Sequence, residues 1–328
     1  MRAVIQAVDF SVPERRITND ELAAALDTSD EWIRSHTGIG ARHVAGPSVV
    51  TSDLALEACR KVLDKARVPS SEIDFVIVAT VTGDYIGFPS VSCIVQDKLG
   101  ASRAAAMDIC AGCTGFIYGL EVARSFIVSG VAKKILVVGA EIISRIVNWK
   151  DRNTCVLFGD GAGAALVTAE NGDDTRGIIS SILRSDGSGA QLLYRPGGGT
   201  KFPITDEAFE SSASHIHMDG RQVYNFAVKV VTDGILELME KGGVCLSDVA
   251  WIVPHQANER IIEAASKRSK IPLSKFFVNI EEYANTSAAS IPIALSEMQS
   301  KGLVKQGDLL LTFGFGAGLT YGGNLIRW

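Results

Sequence analysis

The chain has 328 residues, which exceeds one typical domain's worth and is enough for a large buried core. Hydrophobic residues make up 47% and charged residues 21%, so the composition excludes a disordered or fibrous chain and fits a soluble globular one. A net charge of −5 excludes a global basic field for nucleic acid, and any anionic partner has to meet a local patch.

At the N-terminus, Asp9 interrupts the apolar stretch and no small-residue cleavage site follows, so no signal peptide is expected. No uncharged apolar run reaches the roughly 18 residues that a membrane span needs. No membrane partner is expected, and a cytoplasmic location is. The six cysteines (59, 93, 110, 113, 155 and 245) form no disulfide-like framework, and reduced thiols are expected.

Taken in chain order, short apolar runs alternate with helix-length segments. The first is Phe75-Val-Ile-Val-Ala-Thr80. Asp108-Ile-Cys-Ala-Gly-Cys-Thr-Gly-Phe-Ile-Tyr118 then passes from a β-like segment through a turn of small residues into a helical pattern (Phe116, Leu120, Ala123, Ile127). Cys113 is thereby placed near a helix N-terminus, where unpaired N–H groups and the helix dipole favour thiolate. On its residues alone the segment fits a nucleophile or a small buried hydrophobe. Cys110 and Cys113 also form a Cys-x-x-Cys, but no second Cys/His pair has suitable spacing, so no metal is expected.

The next strand is Lys134-Ile-Leu-Val-Val-Gly139. Gly159-Asp-Gly-Ala-Gly-Ala164 matches a dinucleotide-binding pattern, yet Ala-Leu-Val-Thr after it reads as a strand. A pyrophosphate site needs a helix there, so nucleotide binding is rejected. A polar stretch, Glu170 to Arg176, reads as a join between two halves, 1–175 and 176–328.

In the second half, Ala250-Trp-Ile-Val-Pro254 runs into His255-Gln-Ala-Asn258. Strand ends of this kind are where open α/β sheets place their sites. Tyr283-Ala-Asn-Thr-Ser-Ala-Ala-Ser290 is a turn of small and polar residues before a helix, in which an Asn, Thr or Ser is an N-cap, a reading that does not exclude a catalytic amide at Asn285. The strand Asp308-Leu-Leu-Leu-Thr312 leads to Gly314-Phe-Gly-Ala-Gly-Leu319, where Gly316 and Gly318 let backbone approach a ligand, with an N–H available to an oxyanion.

The halves match one another. Val68 to Val78 lines up with Val244 to Pro254, and the spacing from Cys113 to Gly130 equals that from Asn285 to Gly302. The expected fold is α/β: a duplicated, layered architecture in which Cys113 and Asn285 occupy equivalent corners of one cleft.

Together these segments resemble the thiolase superfamily of condensing enzymes, and within it the β-ketoacyl-acyl-carrier-protein synthase III family. The resemblance covers essentially the whole chain. It rests on Asp27-Thr-Ser-Asp-Glu-Trp-Ile33, Thr37-Gly-Ile39, Phe158-Gly-Asp-Gly-Ala-Gly163, Ser185-Asp-Gly187, Pro254-His-Gln-Ala-Asn258 and Asn285-Thr-Ser-Ala-Ala-Ser290.

The resemblance implies a thiolase-like fold of duplicated αβαβα halves. It implies an acyltransferase that joins an acyl-CoA primer to malonyl-acyl carrier protein with loss of CO2, starting type II fatty acid synthesis. Cys113 would carry the acyl group, and His255 and Asn285 would hold the thioester oxygen of the enolate. Acyl-CoA would be a substrate, and no cofactor is implied. Thr28, Trp32 and Arg152 would line the CoA channel, and Gly220 and Asn258 would contact the pantetheine arm. Phe88 would close the acyl pocket across a homodimer interface, and Arg260, Lys267 and Arg268 would receive the acidic carrier protein.

The sequence departs from the family pattern at three places. His36 stands where an arginine is usual, Cys110-Ala-Gly precedes Cys113 where small residues such as Ala-Ala are common, and Ala284 replaces a usual glycine. A secondary-metabolism relative using another acceptor and a non-catalytic carrier-binding scaffold are the competing readings.

Overall fold

A computed structural model describes residues 1–171, 175–203 and 212–328. The strands of the first half are β1 (Arg2–Ser11), β2 (Arg16–Thr18), β3 (Ala41–His43), β4 (Phe75–Ala79), β5 (Ala105–Ile109), β6 (Lys134–Glu141) and β7 (Gly161–Glu170). Its helices are α1 (Asn19–Ala23), α2 (Asp30–Thr37), α3 (Thr51–Ala66), α4 (Val91–Leu99) and α5 (Gly115–Val128). The second half contributes β8 (Gly177–Ser185), β9 (Leu193–Tyr194), β10 (His217–Met218), β11 (Val249–Pro254), β12 (Leu309–Gly316) and β13 (Thr320–Arg327). Its helices are α6 (Gly220–Gly242), α7 (Glu259–Ser269), α8 (Ile280–Tyr283) and α9 (Ser290–Ser300).

Two sheets organise these elements. The first runs β1-β7-β6-β4-β5, and the second runs β8-β13-β12-β11. The order and sense of pairing repeat: β1 with β7 and β8 with β13 are antiparallel, while β4 with β6 and β11 with β12 are parallel. A parallel bridge from Ile252 to Phe276 stands where β5 pairs with β4 in the first sheet.

The four apolar runs read as buried strands are β4, β6, β11 and β12. Each is buried along nearly its whole length, as expected of strands covered on both faces. Gly161–Glu170 is likewise a strand, the feature that argued against a nucleotide loop. β12 runs on to Gly316 because Gly314 and Gly316 keep pairing with Gly322 and Thr320 of β13, so only residues 317–319 remain as the loop. Residues 172–174 of the join read at 170–176 lie outside the described residues.

Helices α5 and α9 lie between the two sheets. In α5, Phe116, Ile117, Leu120, Ala123 and Ile127 are fully buried, and one apolar cluster combines them with β1, β6, β7, β11, α9 and β12. A helix apolar on so many faces belongs in a central layer. On the outside, α3 covers the first sheet and α6 covers the second. The stack is therefore αβαβα. Truncating Leu120 to Ala in that central layer costs about 2–5 kcal/mol.

Candidate active site

The central helices and the ends of β11 and β12 open onto one cleft of about 230 Å³. Its lining includes Cys113, His255 and Asn285, which are brought together from three separate parts of the chain. Trp32, Arg152, Gly220, Asn258 and Gly316 of the sequence-based set also line it.

Cys113 sits in a 3-10 turn, Gly112–Thr114, directly before α5. The backbone of Gly316 passes so close that a Cβ there would lie 2.5 Å from the Cys113 nitrogen. Only glycine permits this approach, and it puts backbone of β12 beside the sulfur-bearing residue. The helix-start position led to an expectation of an acidic thiol. Instead, burial pushes the Cys113 thiol up to about 12, and the nearby Glu141 carboxylate pushes the same way. Desolvation penalises the thiolate more than the polar groups around it favour it.

His255 follows β11, and its main-chain N–H donates to Phe313 O at 2.8 Å. Burial lowers its pKa to about 3, so the imidazole is neutral. Its Nδ1 lies 2.6 Å from Ser290 Oγ, at the start of α9. Ser290 Oγ also accepts the Gln256 N–H at 3.4 Å, which leaves it one lone pair and one proton for the contact with His255 Nδ1. In the tautomer where Ser290 donates to Nδ1, Nε2 carries the ring hydrogen and is a donor.

Asn285 is buried, and its Oδ1 accepts the Ser287 N–H at 2.8 Å. This is a turn bond and not the helix cap expected here, since Ala289 precedes α9 without a side-chain cap, and it leaves the NH₂ end of the amide for the cleft. Ala284, where the family carries glycine, has φ 57° and ψ −159°. That is a region which only glycine adopts freely.

At the mouth, Arg152 lies 5.2 Å from the centre of the Trp32 ring, and the His36 ring stacks on Trp32 with centroids 4.4 Å apart. His36 Nδ1 is 2.7 Å from Trp32 O. The Asn258 side chain is already engaged: Oδ1 caps α7 through the Arg260 N–H, and Nδ2 donates to His36 O at 3.1 Å.

Three expected residues lie elsewhere. Thr28 and Gly318 are not among the residues lining the cleft, although the Thr28 hydroxyl is buried without a partner. Phe88 is 87% exposed and does not reach the cleft within one chain. On α7, Arg260, Lys267 and Arg268 are all exposed, and Arg268 pairs with Asp233 at 3.9 Å.

Sequence reasoning passed over Ser287, Ser290 and Glu141. Both serines stand in the quoted Asn285–Ser290 motif, where their small polar side chains were a usable signal. For Glu141 the signal was an acid closing an apolar strand.

The layered fold and the cleft between its halves define a thiolase-like condensing enzyme. Models of 3-oxoacyl-[acyl-carrier-protein] synthase III match residues 107–187 and, for its C-terminal part, residues 239–328. A β-ketoacyl-[acyl-carrier-protein] synthase III of Caldanaerobacter subterraneus is 51% identical over 97% of this chain and 95% of its own. One from Natranaerobius thermophilus is 47% identical over 99% of both chains. The solved structure of 3-oxoacyl-[acyl-carrier-protein] synthase III from Aquifex aeolicus has a TM-score of 0.91 at 42% identity, covering 99% of this chain and 100% of that one. The chain belongs to the β-ketoacyl-acyl-carrier-protein synthase III family, whose members are acyltransferases.

Proposed function

We propose that this chain condenses an acyl-CoA primer with malonyl-acyl carrier protein to give β-ketoacyl-acyl carrier protein, the first condensation of fatty acid synthesis. The observation that carries the reading is the convergence of Cys113, His255 and Asn285 in one cleft with Trp32 and Arg152 at its mouth.

Cys113 attacks the acyl-CoA carbonyl, CoA leaves as its thiol, and the acyl group stays on sulfur as a thioester. Malonyl-acyl carrier protein then loses CO2. The resulting enolate oxygen takes hydrogen bonds from His255 Nε2 and the Asn285 amide, the two donors left free by their neighbours. The enolate carbon attacks the acyl group, and the Cys113 sulfur departs. N–H groups of Cys113 and Gly316 stabilise the tetrahedral oxyanion. A neutral His255 suits this role, because it donates without adding a buried charge.

The CoA nucleotide enters past Trp32 and Thr28, with its base taking a place on the Trp32 ring beside Arg152. The pantetheine arm passes Gly220 and Asn258 toward Cys113. The Arg260, Lys267 and Arg268 face of α7 receives the acidic carrier protein. No resident cofactor takes part.

A homodimer completes the site. β5 is the edge strand of its sheet, and Tyr85, Ile86 and Phe88 are exposed large hydrophobic residues. Asp108 of β5 accepts the Val91 and Ser92 N–H groups, which ties that apolar segment to the edge. Joining two copies along β5 buries this surface and carries Phe88 to the partner's acyl pocket. Residues 1–175 and 176–328 are the two duplicated units, and the cytoplasm is the compartment of this reaction. No described helix is long and apolar enough to cross a membrane.

The test is turnover. Incubation with a panel of acyl-CoAs and malonyl-acyl carrier protein yields free CoA, CO2 and β-ketoacyl-acyl carrier protein in equal amounts. Release of CoA with no condensed product on the carrier protein would refute the proposed reaction.

A further inference from the structure

Arg42, in the middle of β3, is 0% exposed. Its Nη1 donates to Asn19 Oδ1 at 2.8 Å and to Ile17 O at 3.4 Å, and its Nη2 donates to Val156 O at 2.9 Å. Its Nε is buried without a partner. Each of these acceptors is neutral. Asn19 in turn donates to Asp30 at 2.8 Å and to Ile39 O at 2.7 Å, so Asp30 is joined to the guanidinium only through an amide. Burial lowers the Arg42 pKa to about 10, which leaves it charged at neutral pH. Burying a cation with no carboxylate against it is expensive, and an apolar side chain of similar size would avoid that cost.

What the guanidinium holds is the segment on which Asn285 hangs. Val156, Leu157 and Phe158 line the cleft, and Phe158 forms a parallel bridge with Asn285. The Asn285 N–H donates to Leu157 O at 2.9 Å, and the Gly159 N–H donates to Asn285 O at 3.1 Å. Both main-chain groups of Asn285 are thus tied to residues 157–159. The far end of the segment is pinned as well. The Asp160 N–H donates to His43 O at 2.9 Å, and the Asp160 carboxylate accepts the Ala45 and Ser144 N–H groups at 2.7 and 2.9 Å. Little slack lies between, since a Cβ on Gly159 would stand 2.6 Å from Tyr283 O and 3.3 Å from Arg42 Cβ.

The Asn285 turn needs such support. Ala284 at φ 57° and Ser287 at φ 50° stand on either side of Asn285, both in backbone regions that favour glycine. Residues stay in such regions only where their surroundings over-determine them. The bond from the Ser287 N–H to Asn285 Oδ1 fixes the amide within the turn, whereas the bonds to residues 157 and 159 fix the turn within the cleft. A planar fork suits the task on Arg42, because one amino group faces α1 and β2 while the other faces Val156. Cys113 sits on a different element, the turn before α5.

We infer that Arg42 is a positioning residue that sets the place of the Asn285 amide in the cleft through Val156 and residues 157–159. The inference rests on the reading of Asn285 as a donor to the enolate. Arg42 touches no substrate. Loosening its hold on Val156 O lets residues 157–159 shift, and the Asn285 N–H and C=O shift with them. One of the two enolate donors is then misplaced, and decarboxylation of the malonyl thioester slows. Acyl loading of Cys113 does not use the Asn285 amide and is spared.

The test is a double-mutant cycle read in both half-reactions: single-turnover acylation of Cys113, followed by intact mass, and decarboxylation of malonyl-acyl carrier protein. Arg42→Lys keeps the charge but loses the fork, and Arg42→Met loses both. Decarboxylation falls about 10-fold in Arg42→Lys and about 10²-fold in Arg42→Met, the scale of a reacting group misplaced by about 1 Å. Acylation in both stays within about threefold of wild type. In an Asn285→Ala background, Arg42→Lys costs decarboxylation nothing further, because a residue acting through Asn285 has nothing left to position. If Arg42→Met does not fold, Arg42→Lys carries the cycle. Equal losses in acylation and decarboxylation overturn the inference, as does a loss from Arg42→Lys that is the same with and without the Asn285 amide. Wild-type decarboxylation in Arg42→Lys and Arg42→Met overturns it too. Wild-type decarboxylation in Asn285→Ala alone removes the enolate assignment, and the positioning role with it.

Discussion

Ser290 Oγ lies 2.6 Å from His255 Nδ1, and a proton donated by Ser290 across this contact leaves Nε2 as the ring's donor. Ser290→Ala removes the proton that fixes the tautomer. Condensation should fall on the order of 10²-fold, comparable to losing one oxyanion donor. Acylation of Cys113 should change little. Separate assays of the two half-reactions check this; equal losses in both would mean that Ser290 only supports the start of α9.

Asn285→Ala should likewise leave acylation largely intact while decarboxylation and condensation drop by about 10²–10³. The variant also loses the acceptor for the Ser287 N–H, so acylation has to be measured directly. Parallel collapse of acylation and decarboxylation would assign Asn285 to holding the turn rather than the enolate.

How much of this was legible in the sequence differs from residue to residue. Strands β4, β6, β11 and β12 were readable because apolar runs bounded by turn residues have few other homes in a chain of this size. The end of β12 was not, because glycines at 314 and 316 read as a loop until their partners on β13 are known. Cys113 was located correctly before α5, but its acidity was misjudged. Helix-start reasoning supplies the sign of one local effect, whereas desolvation depends on what the rest of the fold lays over the sulfur. Glu141 was invisible for the same reason, since its donors come from residues 80–82 and 287. Phe88 finds no place within a single chain.

Two buried groups give opposite pH dependences of stability. His255 has its folded pKa depressed from 6.5 to about 3, so its contribution is present above 6.5 and is lost as pH falls toward 3. Glu141 has its folded pKa raised from 4.5 to about 7, so its contribution is present below 4.5 and is lost as pH rises through 7. Between about 4.5 and 6.5 the two slopes oppose each other. Relative to wild type, Glu141→Gln should therefore gain stability with rising pH in that window, and His255→Gln should lose it. Urea midpoints at pH 5 and pH 6.5 measure both. Slopes identical to wild type would show that neither group titrates as described.

Ala284 holds a glycine-type conformation at φ 57°. Ala284→Gly should relieve strain of about 1–3 kcal/mol, less about 0.4–1 kcal/mol for the freer unfolded chain. A net gain of about 1 kcal/mol in urea unfolding is expected. A loss of stability would mean that the alanine methyl packs more favourably than the backbone is strained.

The central claim is that Cys113 carries the acyl group. Incubation with a panel of acyl-CoAs, followed by intact mass and peptide mapping, tests it directly. One acyl mass should appear per chain, on the peptide bearing Cys113, and Cys113→Ser should carry no stable thioester. Because Cys110 is exposed and only three positions away, fragmentation must separate the two. Acyl mass on Cys110, or retained in Cys113→Ser, would contradict the account.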